Sequence, residues 1–306
     1  MLFVIAGHVL ERPQFNSALG CMTMWNWIYI FHMPLFVFIS GYFSQKKDAK
    51  QFLIGCWRLA EPLIVCQLII RGYTLIQCGE ITVRDVLTPW KVLWYLLSLL
   101  YWRLMLQLIP DKVLQNTRLI IASSFVISIL VGFLPFDRFL SLQRTFAFLP
   151  FFCMGYCMRG RNIFIDSKYR LLSMFFLMVT MIIPIFFSKY LGNLFRADPY
   201  GSIFGACSRM LLFFLCIPMS IAVINICPHN QWMANQGKYT MQYYIYHAFM
   251  IPILMKFLSI VCNFDIFESF FGAVLCVIFI MVSISVLLKI PLFCKLTNPS
   301  TVLDRF

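Results

Sequence analysis

The sequence predicts an all-α protein, a polytopic membrane helix bundle of about ten transmembrane helices. Composition is the first reason, because 61% of the 306 residues are hydrophobic and only 12% are charged. A soluble domain needs roughly 25% charged residues to cover its surface. The second reason is that apolar residues gather in runs of about 18 to 24, long enough as helices to cross a hydrocarbon core of about 30 Å.

The expected spans are separated by polar residues, glycine or proline. They lie near 1–10, 24–43, 60–77, 91–109, 118–134, 145–158, 171–190, 209–227, 239–262 and 268–290. The first would cover only about 15 Å as a helix, so we expect a first helix that is truncated at its amino end. No linker or low-complexity segment divides the chain, which predicts a single integral-membrane domain over 1–306.

The net charge of +13 does not indicate a nucleic-acid partner, because the basic residues are spread over short loops without an RNA-binding signature. Membrane orientation explains them better. The loops after the even-numbered spans hold more Lys and Arg than the others, which predicts that these loops and both chain ends are cytoplasmic. The opposite, outer set includes Arg144 and Arg209, the latter at the start of the span at 209–227.

Cysteines and histidines are the residue types that would indicate a metal site. The 12 cysteines form no CxxC pair and no Cys/His spacing typical of zinc, so we interpret them as small packed apolar residues. No metal is expected.

Ionisable groups inside membrane spans are costly and are therefore candidates for function. Of the four histidines, His229 falls in a predicted cytoplasmic loop. His8 lies near the outer end of the first span, and His32 lies about seven residues into the antiparallel second span. The two imidazoles fall within roughly 10 Å of each other in depth, so they could line one cavity, and Gly7 thins the helix wall beside His8.

His32 also has a structural interpretation. Proline removes the hydrogen bond to the carbonyl four residues before it, so His32 could donate to the carbonyl that Pro34 releases. For the basic segment at the cytoplasmic edge of the third span, two interpretations stay open. Arg58 could pair with Glu61 on one helical face, or it could bind cofactor phosphates together with Lys46, Lys47 and Lys50.

Six motifs in order resemble the integral-membrane acyltransferase-3 family, in particular its branch of fucose 4-O-acetylase-like proteins. They are AGH at 6–8, FHMPLFVFISGYF at 31–43, the Arg58/Pro62 pair, VLWYLLSLLYWRL at 92–104, RTFAFLPFFCMGY at 144–156 and GKYTMQYYIYHAF at 237–249. The resemblance covers nearly the whole chain. Any one of these motifs is weak, but six in order are specific.

The resemblance implies transfer of an acyl group, usually acetyl from acetyl-CoA, to a hydroxyl of a cell-envelope sugar or polysaccharide. It implies catalytic roles for His8 and His32 and a cofactor-binding role for Arg58. The span-two elements also include Pro34, Ser40 and Gly41. Its partners would be membrane lipid, acyl-CoA and the acceptor, with no nucleic acid, in a bacterial cytoplasmic membrane.

The chemistry agrees with these residues, since a sugar hydroxyl needs a base and an imidazole titrates near neutral pH. We expect His8 to deprotonate the acceptor, His32 to orient it or to steady the oxyanion, and Arg58 to hold CoA phosphate. Ser40 next to Gly41 is better explained by close helix packing than by covalent relay. Two alternatives remain, a polytopic transporter or export component for a lipid or polysaccharide and an inactive truncated remnant.

Overall fold

A computed structural model describes residues 1–15, 20–163, 167–191, 199–200, 202–228, 230–261 and 269–297. The described residues form sixteen α-helices and no strand, which confirms the all-α prediction. In chain order these are α1 Leu2–Leu10, α2 Cys21–Tyr42, α3 Ala49–Cys78, α4 Val83–Leu87, α5 Trp94–Leu108, α6 Asp111–Leu114, α7 Thr117–Leu130, α8 Leu142–Ala147, α9 Leu149–Cys157, α10 Arg170–Thr180, α11 Ile182–Leu191, α12 Ile203–Ile226, α13 Gln231–Gly237, α14 Thr240–Val261, α15 Phe270–Leu287 and α16 Pro291–Thr297.

Five of the described helices are long and apolar enough to cross a membrane: α2, α3, α12, α14 and α15. Two shorter apolar helical segments, Thr117–Phe133 and Arg170–Phe186, fall within further predicted spans. The chain is therefore a multi-pass membrane protein. The finer count of about ten spans stays a prediction. The first predicted span corresponds to α1, which has 9 residues.

Helix α15 shows how these helices divide their surface between protein and lipid. Ala273, Cys276 and Ile280 are buried at helical spacing, whereas Phe271 and Phe279 are more than half exposed. In a membrane helix such an apolar exposed face meets lipid chains. Cys276 lies on the packed face as a free thiol, in agreement with the interpretation of the cysteines as small apolar residues.

The chain divides into two compact units. Unit 1 comprises Met1–Met33, Ile163–Gly192 and Leu215–Thr297, and unit 2 comprises Pro34–Asn162, Asn193–Phe214 and Asn298–Phe306. The single domain over 1–306 stays a prediction, and each unit is described by itself below.

In unit 1, helix α1 packs against α14 and α15. Aromatic rings fix it against the first half of α2: the Phe3 ring centroid lies 5.1 Å from that of Phe31 and 6.2 Å from that of Trp27, both edge to face. The indole nitrogen of Trp27 donates to the hydroxyl of Thr180 at 3.0 Å. These contacts pack the beginning of α1 against α2, and His8 lies in the last turn of the same short helix.

In unit 2, two glycines let α2 and α9 approach to backbone contact. A Cβ built on Gly41 would overlap the carbonyl oxygen of Phe152, and one built on Gly155 would overlap the carbonyl oxygen of Phe38. Small residues at a helix crossing allow this close approach in membranes. The interpretation of Gly41 as a packing residue is confirmed. The Ser40 hydroxyl donates to the carbonyl of Phe36 at 2.8 Å.

Unit 2 also contains a buried set of hydrogen-bonded side chains, which we call the hydroxyl network: Ser98, Ser141, Thr145 and Trp102. The Ser98 hydroxyl lies 2.7 Å from that of Thr145 and 3.0 Å from that of Ser141. The Thr145 hydroxyl donates to the Ser141 carbonyl at 2.8 Å, and the Trp102 indole donates to the Thr145 carbonyl at 2.9 Å. The network joins α5 to α8.

Arg209 requires a correction to the predicted span boundaries. Helix α12 begins at Ile203 rather than at 209, so Arg209 lies well inside the helix instead of in an outer loop. It is 3% exposed, its guanidinium donates to the carbonyl of Ser128 at 3.1 Å, and it lies over the Tyr200 ring at 4.4 Å. These contacts satisfy a charge that would be costly inside a membrane.

Candidate active site

His8 occupies the last turn of α1, and its imidazole is held by a carboxylate. Its Nδ1 lies 3.2 Å from Oε2 of Glu11, which also accepts a hydrogen bond from the Tyr29 hydroxyl at 3.1 Å. An ionised carboxylate can only accept, so Nδ1 donates in this bond, and in a neutral imidazole the lone pair is then on Nε2. Glu11 thus orients the His8 ring through Nδ1, in the geometry by which a carboxylate orients the histidine of a catalytic triad.

Gly7 explains how Tyr29 reaches this position. A Cβ on Gly7 would lie 3.0 Å from Cε2 of Tyr29 and 3.4 Å from Cγ2 of Ile28. The helix wall is thin at Gly7, as the sequence predicts, and the space beside it is filled by Tyr29. Because residue 7 has no side chain, the Tyr29 ring fits beside α1 and its hydroxyl reaches Glu11.

His32 lies in the same unit and is 5% exposed. Its ring centroid lies 4.6 Å from that of Tyr29. The ring centroid of His8 lies 6.3 Å from that of the same tyrosine. The structure thus brings both predicted histidines beside one tyrosine. Nδ1 of His32 donates to the carbonyl of Ile28 at 2.9 Å, four residues before His32 itself, rather than to the carbonyl that Pro34 releases four residues before the proline.

A third histidine, His247 of α14, joins this site. It is fully buried, and its ring centroid lies 5.3 Å from that of His8 with 32° between the planes. Nδ1 donates to the carbonyl of Tyr243 at 2.9 Å, so Nε2 carries a lone pair. That Nε2 is buried and has no hydrogen-bond partner, which is unusual because buried polar atoms are nearly always paired.

The sequence contains the signal for His247, because an ionisable residue lies inside a predicted span. Sequence reasoning paired His8 with His32 through a short loop and left His247 without a role. Residues 8 and 247 are far apart along the chain, so neither periodicity nor spacing could indicate that their rings meet.

Arg58 lies in the other unit, exposed on α3. The structure therefore does not gather it with His8 and His32 inside one unit, and its cofactor-binding role stays a prediction. Of the lysines that precede it, Lys46 is paired with Asp111, with 2.7 Å between Nζ and Oδ1. Lys46 is thus partly engaged by a carboxylate.

Two further expectations concern the remaining candidate ligands. His229 lies outside the described residues. Within the part of the chain that the structure describes, His, Cys, Asp and Glu form no group of three or more that could hold a metal ion.

Comparison with known proteins assigns the sequence to a family. The model of the acyltransferase-3 family, described as an acyltransferase domain, matches residues 1–290. No curated protein and no solved structure matches the chain. Since the family match extends over nearly all of a chain of apolar helices, the protein belongs to the acyltransferase-3 family and is a membrane acyltransferase.

Proposed function

We propose that the protein is an O-acyltransferase of the fucose 4-O-acetylase-like branch. It would move an acyl group, acetyl in the simplest case, from acyl-CoA to a hydroxyl of a cell-envelope sugar or polysaccharide. The observation that carries this proposal is the His8–Glu11 pair, because acyl transfer to a hydroxyl needs a positioned base. The family membership supports the reaction class.

In this mechanism Nε2 of His8 removes the proton from the acceptor hydroxyl. The oxygen attacks the thioester carbonyl, and the tetrahedral intermediate then expels the CoA thiolate, which takes the proton from Nε2 of His8. Glu11 stabilises the imidazolium through Nδ1 between these steps. The products are the ester and CoA, and His8 returns to its starting state.

The tautomers favour orienting roles for the other two histidines. With Nδ1 donating to a backbone carbonyl, neutral His32 and neutral His247 present an acceptor at Nε2, not a donor. They suit a hydrogen bond from a hydroxyl of the acceptor sugar, and for His247 this bond would supply the missing partner of Nε2. Steadying the oxyanion would require a protonated ring.

The test uses membrane vesicles that contain the protein, supplied with radiolabelled acetyl-CoA and a panel of envelope sugars. We expect acetyl-CoA-dependent label in one acceptor, and a loss of about 10²- to 10⁴-fold in His8→Gln, the range of general-base contributions. His229→Gln is the matched control, because the sequence predicts a solvated loop there. Normal transfer by His8→Gln would refute the mechanism, and sugar movement without label would indicate a transporter instead.

The proposed role of Arg58 in binding the acyl donor, acetyl-CoA, is tested separately. A guanidinium that binds phosphate contributes strongly to affinity, so we expect Arg58→Ala to raise the KM for acetyl-CoA about tenfold with little change in kcat. Arg118→Ala, on the exposed start of α7, is the control for loss of surface charge. An unchanged KM would remove Arg58 from the donor site.

A further inference from the structure

Unit 2 contains a cavity that the proposed acyl transfer does not use. Its volume is about 310 Å³, at the lower end of the range of small-molecule pockets. Four cationic side chains and two indole rings dominate its wall. They are Arg71, Lys91, Arg138, Arg144, Trp90 and Trp94. The residues that line it, all of them described, include no carboxylate, so the lining itself is positively charged. Asp85 interacts electrostatically with Arg71 from outside the lining.

Helix α3 holds one wall of the cavity in place. The Gln67 side chain donates to the carbonyls of Val86 and Thr88 at 3.0 and 2.8 Å and accepts from the Trp90 amide at 3.0 Å. Nη2 of Arg71 donates to the Thr88 carbonyl at 2.8 Å. Nε of Arg71 is buried and has no hydrogen-bond partner, so this guanidinium keeps a donor that a ligand could satisfy.

Aromatic rings position two of the other cations. The Arg144 guanidinium lies 5.2 Å from the centroid of Trp94, and Trp94 stacks on Phe148 at 5.4 Å. Nζ of Lys91 lies 5.1 Å from the centroid of Trp90. Such cation–π contacts orient the charged groups. Arg144 and Lys91 are thus positioned at the cavity by its own aromatic rings.

Backbone strain is concentrated at the same place. The non-glycine residues with positive φ in the described part of the chain are Lys91, Asp137, Leu140 and Ser141, with φ between 37° and 57°. Two of them, Lys91 and Ser141, line the cavity, and the other two lie in the segment that carries Arg138. Left-handed backbone is costly for side chains other than glycine and is found preferentially at ligand sites.

We propose that this cavity binds a phosphate ester, with the phosphate oxygens on the arginines and the rest of the ligand against Trp90 and Trp94. Guanidinium groups match phosphate oxygens in charge and geometry, and the two indoles offer apolar faces to the remainder of the ligand. The phosphate could belong to a soluble sugar phosphate or to a lipid headgroup. The proposal rests on the cavity alone and does not depend on acyl transfer.

Binding is measured by calorimetry on the full chain in phosphatidylcholine nanodiscs, without acyl donor. The probe is glucose 1-phosphate, with glucose as its uncharged match. We expect glucose 1-phosphate to bind at least about tenfold more tightly than glucose, because hydrogen bonds to charged groups are strong, and its affinity to fall with added salt. Equal binding of the two sugars would overturn the proposal.

Variants locate the site. Arg138→Gln and Lys91→Gln, both exposed at the rim, should each weaken binding about tenfold, and they carry the test even if Arg144→Gln fails to fold. Arg118→Gln is the matched control and should bind as the native chain does. Native affinity in both rim variants would refute the site.

Nanodiscs of phosphatidylglycerol separate the two sources of phosphate. If a lipid headgroup occupies the cavity, the anionic lipid competes and lowers the affinity for glucose 1-phosphate, and Arg138→Gln removes this competition. If the ligand is soluble, the affinity is the same in both lipids. Both results support a phosphate site and identify its natural source.

Discussion

Unit 1 contains a polar cluster that we call the histidine site: His8, Glu11, Tyr29, His32 and His247. It and the hydroxyl network of unit 2 both lie among apolar helices, yet their buried polar atoms differ in how completely they are hydrogen-bonded. In the network, Ser98, Thr145 and Trp102 each have protein partners at 2.7 to 3.0 Å. In the histidine site, Nε2 of His247 is buried without a partner, and the neighbouring His8 imidazole contacts the Glu11 carboxylate through Nδ1.

This difference indicates that polar side chains have two roles inside this membrane protein. A satisfied network ties helices together, and removing one member leaves an unpaired group. An unsatisfied buried atom costs stability, and it can persist where a ligand completes it. The comparison therefore predicts that substitutions at the histidine site change activity and that substitutions in the network change stability.

Among the substitutions that test this comparison, the largest effect is expected from His247→Phe, which keeps a ring of similar shape. The substitution removes a buried atom without a partner, but it also removes the hydrogen bond from Nδ1 to the Tyr243 carbonyl. These two changes oppose each other, so thermal unfolding should occur at nearly the same temperature. Acyl transfer should fall about 10- to 100-fold, since the acceptor is then less well positioned. Label transfer in vesicles measures the predicted loss of activity, and a thermal melt measures the predicted effect on stability. A destabilised variant with normal turnover would break the comparison.

Gly41→Ala should produce the largest loss of stability. Its Cβ would overlap the backbone of Phe152, and overpacking of this kind costs about 1–3 kcal/mol or more. Unfolding in detergent, followed by the loss of helical circular dichroism, measures the cost. Gly72→Ala is the control, because a Cβ on Gly72 meets nothing within 4 Å. Equal stability of the two variants would contradict the close approach of α2 and α9.

Ser98→Ala tests the network directly. It removes the shared partner of Ser141 and Thr145, and a lost buried hydrogen bond costs about 1–3 kcal/mol. Its turnover per folded molecule should remain normal. Ser208→Ala, half-buried on α12 and outside the network, serves as the control. A drop in turnover without a drop in stability would mean that the network also has a catalytic part.

The smallest effect concerns pH. Hydrogen bonds from Thr82 hold the pKa of the Asp85 carboxyl below its ordinary value. A lowered pKa in the folded state means that its contribution to stability is present above the ordinary aspartate pKa and is lost as pH falls through the lowered value. Thermal melts between neutral and acidic pH should show that the unfolding temperature of Asp85→Asn declines slightly less with falling pH than that of the native chain. Identical declines would argue against this contribution.

The sequence was sufficient for the fold class because composition and run length report directly on the solvent around each helix. It also identified Gly41 as a packing residue, since a glycine among bulky apolar neighbours has few other roles. It placed the start of α12 too late, because Arg209 resembles a loop charge until its partners on Ser128 and Tyr200 are known. It missed His247 because only three-dimensional packing brings α14 beside α1.

The meeting of His8 and His247 also has a consequence for biogenesis. Helix α1 packs against α14 and α15, which lie more than 200 residues later in the sequence. A chain interrupted before α14 therefore has His8 without its buried neighbour. The two rings can meet only after α14 has been synthesised and has packed against α1.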